Sequence, residues 1–328
     1  MTRDTWYVER VNKLNVLSLF DGMSCARIAL DKLGIPCRYY ASEIDKYAIK
    51  VAKANYPDTI HLGSVTDISW KDRYLHKHLQ PPIDLLVGGS PCQGFSFAGK
   101  QLNFDDPRSK LFWEYVRILK QTQPRYFLLE NVRMKQESQD VITEALGVEP
   151  IAINSNTVSA QNRYRLYWTN IPFNIPEDKG IVLQDILEDG ITDRDKAHCI
   201  DANYFKGGNL KSYFEKNRRQ LVFSKDGLCH IGDADISGFD SVKRVYHPQG
   251  KSPTLNTCQG GWRTPKVLKD TTTWRKLTPI ECERLQTVPD NYTNHVSNTQ
   301  RYKMLGNGFT VDVIKSILEP LTEFNMTL

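Results

Sequence analysis

The chain has 328 residues, of which 40% are hydrophobic and 25% are charged, a balance typical of a globular protein with one large domain and a second, smaller one. No apolar run approaches about eighteen residues and the polar N-terminus lacks an apolar signal segment, so we expect neither a membrane span nor secretion. The seven cysteines form no CxxC pair, which argues against a disulfide framework and a zinc ribbon. We therefore expect a reduced, cytoplasmic protein without a bound metal. Its formal net charge of +5 permits nucleic-acid binding but does not require it.

Strand-like and helix-like segments alternate over residues 1–185. The apolar runs typical of buried strands are residues 15–20, 38–42, 83–87, 126–129 and 166–169. Apolar residues at helical spacing run from Ser24, a candidate N-cap, to Gly34, from Asp45 to Asn55, and over 109–120. This alternation predicts an α/β fold with a mostly parallel, Rossmann-like sheet and helices on both faces.

The sequence changes character near Pro176. From there to about Thr273 it is richer in Gly, Asp and Lys, and its apolar runs are short, as in Leu221–Phe223. We interpret residues 186–272 as a smaller, mainly β domain. Residues 273–328 form a separate C-terminal segment in this division.

Regular patterning resumes in the C-terminal segment. A helix is predicted at Pro279–Gln286, and a final helix, Val311–Leu318, follows a predicted turn at Gly306-Asn307-Gly308.

Two polar motifs directly follow predicted strands. Cys92 lies in Gly88-Gly89-Ser90-Pro91-Cys92-Gln93-Gly94-Phe95-Ser96, and Glu130 lies in Leu128-Leu129-Glu130-Asn131-Val132. Because the carboxyl ends of parallel strands meet at one edge of a sheet, a nucleophile candidate and a carboxylate are predicted to lie at the same edge.

The turn after the first strand constrains the cofactor. It reads Phe20-Asp21-Gly22-Met23-Ser24-Cys25, with one glycine instead of the GxGxxG that a pyrophosphate requires. This excludes a nicotinamide oxidoreductase. Glu43 ends the second strand, where an acid can accept hydrogen bonds from ribose hydroxyls. S-adenosylmethionine has a ribose and no phosphate, and it fits both observations.

The Cys92 and Glu130 motifs, in this order, resemble those of the DNA cytosine-C5 methyltransferases of bacterial and phage type. Leu17–Gly22 and Ala41–Glu43 are similar to that family's first two motifs, particularly in the animal de novo methyltransferases and phage relatives. The further matches are Gln161–Arg165, Arg244–Gly261, Arg275–Pro289 and Leu305–Gly308. The resemblance covers about residues 15–185 and 242–320, and it implies that the C-terminal segment returns to the catalytic domain and that 186–272 is a target-recognition domain.

The resemblance implies S-adenosyl-L-methionine as cofactor and S-adenosyl-L-homocysteine as product. By this resemblance, Phe20 would pack on the cofactor and Glu43 would hold its ribose. The third family motif has an aspartate facing the adenine amino group where this chain has Ser64, so Ser64 is the candidate replacement. The complete set of predicted cofactor-binding residues is Phe20, Asp21, Gly22, Met23, Ser24, Glu43, Ile44, Ser64, Val65, Pro91, Asn307 and Gly308.

The chemistry of cytosine explains the predicted catalytic residues. C5 of cytosine is not nucleophilic, so a thiolate must add to C6 while an acid protonates or hydrogen-bonds N3. Cys92 and Glu130 supply these roles. Strand alternation places Arg163 and Arg165 on one face, and by resemblance Arg165 orients the base while Arg163 makes a supporting or phosphate contact.

The implied substrate is double-stranded DNA, with the target cytosine flipped out of the duplex. Between Lys206 and Arg219 five basic residues stand against one acid. The predicted DNA-contacting residues are Gln93, Ser96, Arg108, Lys211, Lys216, Arg218, Arg219 and Thr254. A cognate restriction endonuclease, acting separately, is the protein partner that a restriction-modification pair would add.

Two alternative functions stay open, and a zinc site is rejected. An RNA (tRNA) cytosine methyltransferase on the same scaffold and a non-catalytic DNA-binding homologue are the competing hypotheses, although intact Cys92, Glu130 and Arg165 argue against the latter. A zinc site at His198-Cys199 and Cys229-His230 is set aside because the spacing is unlike that of known zinc fingers.

Overall fold

The structure, a computed structural model, describes residues 13–71, 74–75, 82–90, 110–208, 210–223, 230–233, 244–246, 266–267 and 274–324. Its strands are β1 (Leu14–Leu19), β2 (Cys37–Ser42), β3 (Ile60–Gly63), β4 (Trp70–Lys71), β5 (Tyr74–Leu75), β6 (Leu85–Gly88), β7 (Tyr126–Val132), β8 (Ile151–Asn154), β9 (Tyr164–Thr169), β10 (Leu221–Phe223), β11 (His230–Asp233), β12 (Arg244–Tyr246), β13 (Lys266–Val267) and β14 (Trp274–Lys276).

The helices surround and follow this set of strands. They are α1 (Cys25–Lys32), α2 (Lys46–Asn55), α3 (Lys110–Thr122), α4 (Gln136–Leu146), α5 (Leu183–Ile186), α6 (Leu210–Lys216), α7 (Pro279–Leu285), α8 (Asn298–Asn307), α9 (Val311–Leu318) and α10 (Leu321–Phe324). Short 3₁₀ turns occur at Val65–Asp67, Ser155–Thr157 and Tyr204–Lys206. Among the described segments, no helix combines the length and apolarity needed to cross a membrane.

The centre of the fold is a seven-stranded sheet with the order β3-β2-β1-β6-β7-β9-β8. The first five strands in this order are parallel, and β9 runs antiparallel to both of its neighbours. Gly88 pairs with Leu129, so the residues after β6 and the end of β7 meet at the same edge. The predicted α/β fold with a mostly parallel sheet is confirmed.

Alternate residues of the central strands enter two different apolar cores. Val16 and Leu128 belong to a core that includes α1, α2 and α9, whereas Leu17 and Leu129 belong to a second core that includes α3 and α4. Because side chains alternate across a strand, the two cores cover opposite faces of the sheet. These β strands are apolar on both sides for this reason, so polar side chains of a functional site can lie only at the strand ends.

Two predicted helix starts differ in outcome. The Asp45 carboxylate accepts the N–H groups of Tyr47 (2.9 Å) and Ala48 (3.4 Å), which confirms Asp45 as the N-cap of α2. Ser24 is the N-cap residue of α1, as predicted, but its side chain makes no cap hydrogen bond. Ser24 has a left-handed backbone (φ 65°), and its hydroxyl donates to Asp21 Oδ2 at 2.6 Å instead.

The C-terminal segment contains the two predicted helices, α7 and α9, and two that were not predicted, α8 and the short α10. The predicted turn at Gly306-Asn307-Gly308 is wrong in its first part, since Gly306 and Asn307 are the last residues of α8. A Cβ on Gly306 would lie 2.3 Å from the carbonyl carbon of Asp201. Close packing between two backbones therefore places a glycine inside a helix, against its low helix propensity.

The region 186–272 is described in part. It contributes α6, a pairing of β10 with β14, and a three-stranded sheet in which β12 lies between β11 and β13. The domain limits at 185 and 272 stay a prediction.

Candidate active site

A cavity of about 530 Å³ opens at the carboxyl edge of the sheet. Its walls come from the ends of β1, β2, β6, β7 and β9 and from the end of α8. The residues that line the cavity include Phe20, Asp21, Gly22, Glu43, Ile44, Asp45, Gly89, Ser90, Glu130, Asn131, Arg163, Arg165, Gln300, Lys303, Asn307, Gly308 and Phe309.

Glu130 and Arg165 form an ion pair in this wall. Glu130 is in β7 and Arg165 in the antiparallel neighbour β9, and Arg165 Nε lies 2.9 Å from Glu130 Oε1. Their side chains are only 12% and 16% exposed, so water screens the pair weakly. The second carboxylate oxygen, Oε2, lies on the side of Gly89, 3.4 Å from the point where a Cβ on that glycine would be. Oε1 thus faces the guanidinium, and Oε2 lies toward the strand end before Cys92.

Arg163 also lines the cavity, but all its hydrogen bonds to oxygen are made to backbone carbonyls. It is 4% exposed, and its guanidinium donates to Ile200, Gly306 and Gly308 at 3.0–3.3 Å. The supporting role is compatible with this geometry, in which Nη1 and Nη2 donate to buried carbonyls. A phosphate contact, the other predicted role of Arg163, stays a prediction.

Asn131 connects the two strand ends of the site. Its side-chain amide donates to Ser90 Oγ at 3.2 Å, and its carbonyl oxygen accepts the N–H of Val132 at 2.8 Å. Ser90 is the last described residue before the predicted nucleophile. Asn131 was not predicted as a site residue, although its position directly after Glu130 is a signal that could have identified it.

The Glu43 carboxylate is held by backbone N–H groups. Oε2 accepts from Gly22 at 2.7 Å, and Oε1 accepts from Ile44 at 2.7 Å and from Asp45 at 2.8 Å. Each carboxylate oxygen can accept more than one hydrogen bond. Since Glu43 lines the cavity, its remaining acceptor capacity is available to a ligand hydroxyl.

Asp21 stabilises the turn after β1 from below. Tyr39 donates to its Oδ1 at 2.7 Å and Ser24 to its Oδ2 at 2.6 Å. Burial raises the pKa of Asp21 to about 6, against the lowering effect of its hydrogen bonds. Phe20, at the start of this turn, has a left-handed backbone with φ of 56°. Non-glycine residues rarely adopt this conformation, and where they do it often indicates a functional site.

Four of the predicted cofactor-binding residues lie outside the cavity wall. Met23 and Ser24 are buried beneath it, and the Met23 carbonyl accepts the Tyr292 hydroxyl at 2.7 Å. The Ser64 hydroxyl accepts the N–H of Thr66 at 3.3 Å and so caps its own 3₁₀ turn; the neighbouring Val65 side chain is buried. Met23 and Ser24 therefore support the turn, and an adenine contact by Ser64 stays a prediction.

The end of α8 closes the cavity from the opposite side. A Cβ on Gly308 would lie 3.1 Å from both Cys25 Sγ and the Met23 side chain, so glycine allows close packing here. A Cβ on Gly89 would lie 2.8 Å from the Phe309 ring. Asn307 and Gly308 were predicted for this wall, whereas Phe309 was missed.

One face of α8 adds two polar residues that were also missed. Gln300, Lys303 and Asn307 follow a spacing of three and four residues, which places them on the same side of a helix. Lys303 Nζ lies 2.8 Å from Asp45 Oδ2 and so connects α8 with the start of α2.

The model of the C-5 cytosine-specific DNA methylases matches residues 14–323. The chain belongs to this family.

Curated relatives and solved structures agree with that assignment. The chain is 31% identical to the type II methyltransferase M1.ScrFI of Lactococcus lactis subsp. cremoris, over 95% of this chain and 78% of that protein. It is 28% identical to the type II methyltransferase M.HhaI of Haemophilus parahaemolyticus, over 94% of each. The fold is similar to that of the Entamoeba histolytica methyltransferase EhMeth (TM-score 0.67, 16% identity, 95% of this chain and 98% of that one). It is also similar to that of S. pombe Dnmt2 (TM-score 0.61, 18% identity, 94% and 99%).

This DNA methylase therefore carries its candidate site at the sheet edge that the motifs predicted. Several predicted residues of the methylase lie outside the described residues: Pro91, Cys92, Gln93, Ser96, Arg108 and Thr254. The side chain of Lys211 is also outside them.

The described part of the basic cluster is engaged to different degrees. Lys216 is exposed, Arg218 pairs with Asp201 at 3.2 Å, and Arg219 donates to the Gly207 carbonyl at 2.7 Å. Within the residues described, no group of three or more His, Cys, Asp or Glu side chains could hold a metal ion.

Proposed function

We propose that this methylase transfers the methyl group of S-adenosylmethionine to C5 of a flipped-out cytosine in a specific sequence of double-stranded DNA. The reaction proceeds through a covalent bond between Cys92 and C6. The observation that carries the proposal is the Glu130–Arg165 pair, 2.9 Å long, in the wall of the same cavity that Glu43 lines.

The cofactor side of the cavity fits S-adenosylmethionine. Glu43, fixed by its backbone donors, accepts the ribose hydroxyls. Ile44 is 77% exposed although apolar, and with Phe20 and Phe309 it offers apolar surface to the flat adenine. Asn307, exposed on the opposite wall, offers amide groups to the amino-acid end. When bound, the cofactor supplies an electrophilic methyl group on a sulfonium.

The base side of the cavity fits cytosine activation. Cys92 follows Ser90 by two residues, so chain connectivity keeps it near this sheet edge. Its thiolate adds to C6 and forms the C–S bond while the C5=C6 double bond opens. Glu130 donates a proton or hydrogen bond to N3, so that the electron pair is retained as an enamine.

The remaining steps restore the aromatic base. C5 of the enamine would take the methyl group that bound S-adenosylmethionine supplies, with S-adenosylhomocysteine as the product. A base then removes the C5 proton, the Cys92 thiolate is eliminated as the C5=C6 double bond reforms, and N3 returns its proton or hydrogen bond to Glu130. Arg165 holds Glu130 in the orientation that both N3 steps need. Removal of the base from the duplex costs a few kcal/mol, and we assign the offsetting DNA contacts largely to residues 186–272.

Covalent trapping tests this function. Duplex DNA with 5-fluorocytosine at the target should form an SDS-resistant adduct in the presence of S-adenosylmethionine, because fluorine cannot leave as the C5 proton does. The adduct should be lost in Cys92→Ser and retained in Cys199→Ser, a matched control at an exposed cysteine. Trapping by Cys92→Ser would contradict the nucleophile assignment, and trapping on tRNA instead of DNA would favour the RNA alternative. Bisulfite sequencing of DNA from expressing cells would give the target sequence.

A further inference from the structure

Arg163 joins two parts of the chain that are far apart in sequence. Nη1 donates to the carbonyls of Ile200 (3.2 Å) and Gly306 (3.3 Å), and Nη2 donates to those of Gly306 (3.2 Å) and Gly308 (3.0 Å). Ile200 lies in the insert (residues 186–272). Residues 306–308, which are the last two residues of α8 and the residue after them and are here called the cofactor loop, line the cavity. One buried guanidinium thus orients three carbonyl groups in two segments.

The packing around Arg163 makes these two segments one unit. A Cβ on Gly306 would lie 2.3 Å from the Asp201 carbonyl carbon and 2.4 Å from the Ala202 nitrogen, so the two backbones are in direct contact. The N–H of Ile200 donates to the Gln161 side chain at 2.9 Å. Residues 161–163 therefore hold Ile200 through both its N–H and its carbonyl.

The shape of the guanidinium matters for this arrangement. Its two Nη atoms share the Gly306 carbonyl and each reaches one further carbonyl, Ile200 or Gly308. A lysine ammonium is a compact point charge and cannot reproduce a planar fork of donors. A lysine at position 163 therefore cannot make the same contacts.

We infer that Arg163 is a positioning residue of the cofactor site, which fixes the cofactor loop to the start of the insert and thereby couples cofactor binding with DNA binding. The inference rests on the function proposed above. A ligand that orders the cofactor loop also orders Ile200 and the residues after it, and thermodynamic linkage makes the effect reciprocal.

The test compares Arg163→Lys with Arg301→Lys by calorimetry with S-adenosylhomocysteine. Arg301 is a matched control because it is similarly buried, at 6% exposed, but pairs with Glu283 (3.1 Å) and lies outside the cavity wall. Arg163→Lys should weaken cofactor binding by about ten- to a hundredfold, the scale of lost hydrogen bonds to a charged group. Arg301→Lys should lower the Tm with cofactor affinity unchanged.

DNA binding supplies a second readout. S-adenosylhomocysteine should raise the DNA affinity of the wild type, and this increase should be lost in Arg163→Lys, with the dependence of DNA binding on salt unchanged. If Arg163→Lys does not fold, Gly306→Ala tests the same junction, because its Cβ separates the cofactor loop from Asp201 while Arg163 is retained. It should weaken cofactor binding in the same way.

Two results would overturn the inference. One is cofactor affinity of Arg163→Lys within about twofold of the wild type together with a large fall in kcat, which would place Arg163 with the base. The other is a flatter salt dependence, which would reveal a phosphate contact. Either result leaves the proposed function intact. That function fails separately if wild-type protein binds S-adenosylhomocysteine but traps no 5-fluorocytosine DNA.

Discussion

The two sides of the cavity hold their carboxylates by different means. On the cofactor side, Glu43 is bound by neutral backbone N–H groups, which stabilise its negative charge without cancelling it. On the base side, Glu130 is paired with the cation of Arg165. The first arrangement keeps a strong acceptor for hydroxyl groups. The second fixes the orientation of a carboxylate, and the proposed donation to N3 requires Glu130 to bind a proton beside the Arg165 cation.

Glu130→Gln should give the largest effect and acts on the base side alone. A general acid contributes about 10²–10⁴-fold to the rate, so kcat should fall on that scale. The affinity for S-adenosylhomocysteine should stay near the wild-type value, since the ribose acceptor is unchanged. Steady-state kinetics and calorimetry measure the two quantities. An equal loss of cofactor binding would contradict the division of the cavity into two sides.

Glu43→Gln is the reciprocal experiment. The amide replaces one carboxylate oxygen by an NH₂ group, which faces a backbone N–H donor instead of accepting from it. Cofactor affinity should fall by about ten- to a hundredfold. At saturating cofactor, kcat should stay within a few-fold of the wild type. A large loss of kcat under saturation would show that Glu43 acts in the chemical step.

The sequence predicted the sheet side of this comparison better than the helix side. The strands that deliver Glu43 and Glu130 are buried on both faces, so their apolar runs are clear and their ends could be located. In the wall from α8, Asn307 and Gly308 were predicted by resemblance. Gln300, Lys303 and Phe309 were missed because their contacts depend on tertiary packing. Gly306 occurs within a helix only because the Asp201 backbone approaches it. Lys303 pairs with Asp45 over 258 positions of sequence, and no local pattern encodes such a distance.

The same reasoning explains differences between residues that look alike in the sequence. Ser24 occupies the N-cap position of α1, but its hydroxyl donates to the Asp21 carboxylate and caps no N–H group of the helix. Arg163 and Arg165 look equivalent in the sequence, two residues apart. They diverge because the segment around Ile200 covers Arg163, whereas Glu130 lies opposite Arg165.

Asp21→Asn tests how the buried Asp21 carboxylate, beneath the cofactor side of the cavity, makes the free energy of unfolding depend on pH. Because the folded-state pKa of Asp21 is raised to about 6 from 3.8, the folded protein binds this proton more tightly than the unfolded chain. Its contribution to stability is complete below about pH 4 and is lost as the pH rises through 6. The free energy of unfolding should therefore fall less over this range in Asp21→Asn, by about 1–3 kcal/mol.

Asp45→Asn is the control of opposite sign for this measurement. Burial alone would raise the pKa of Asp45, but hydrogen bonds from Lys303 and from the N–H of Tyr47 lower it. Its contribution is present at higher pH and is lost on acidification. Denaturant titrations from about pH 2 to pH 7 compare the variants with the wild type, because the Asp45 contribution is lost only below the ordinary aspartate pKa of 3.8. Identical pH profiles for wild type and Asp21→Asn would contradict the raised pKa.

Ser64→Ala should give the smallest effect on the cofactor and decides between two roles for this hydroxyl. In the structure Ser64 Oγ accepts the Thr66 N–H and lies 2.8 Å from Thr66 Oγ1, so its hydrogen bonds serve the 3₁₀ turn. The dissociation constant of S-adenosylmethionine should then change by less than about twofold, while the loss of a cap lowers the free energy of unfolding by about 0.5–1 kcal/mol. An adenine contact predicts the reverse pattern, with binding weakened by about 0.5–1.5 kcal/mol, the value of a typical net hydrogen bond. Calorimetry and denaturant unfolding on the same preparation separate the two, because a purely local cap moves only the second quantity.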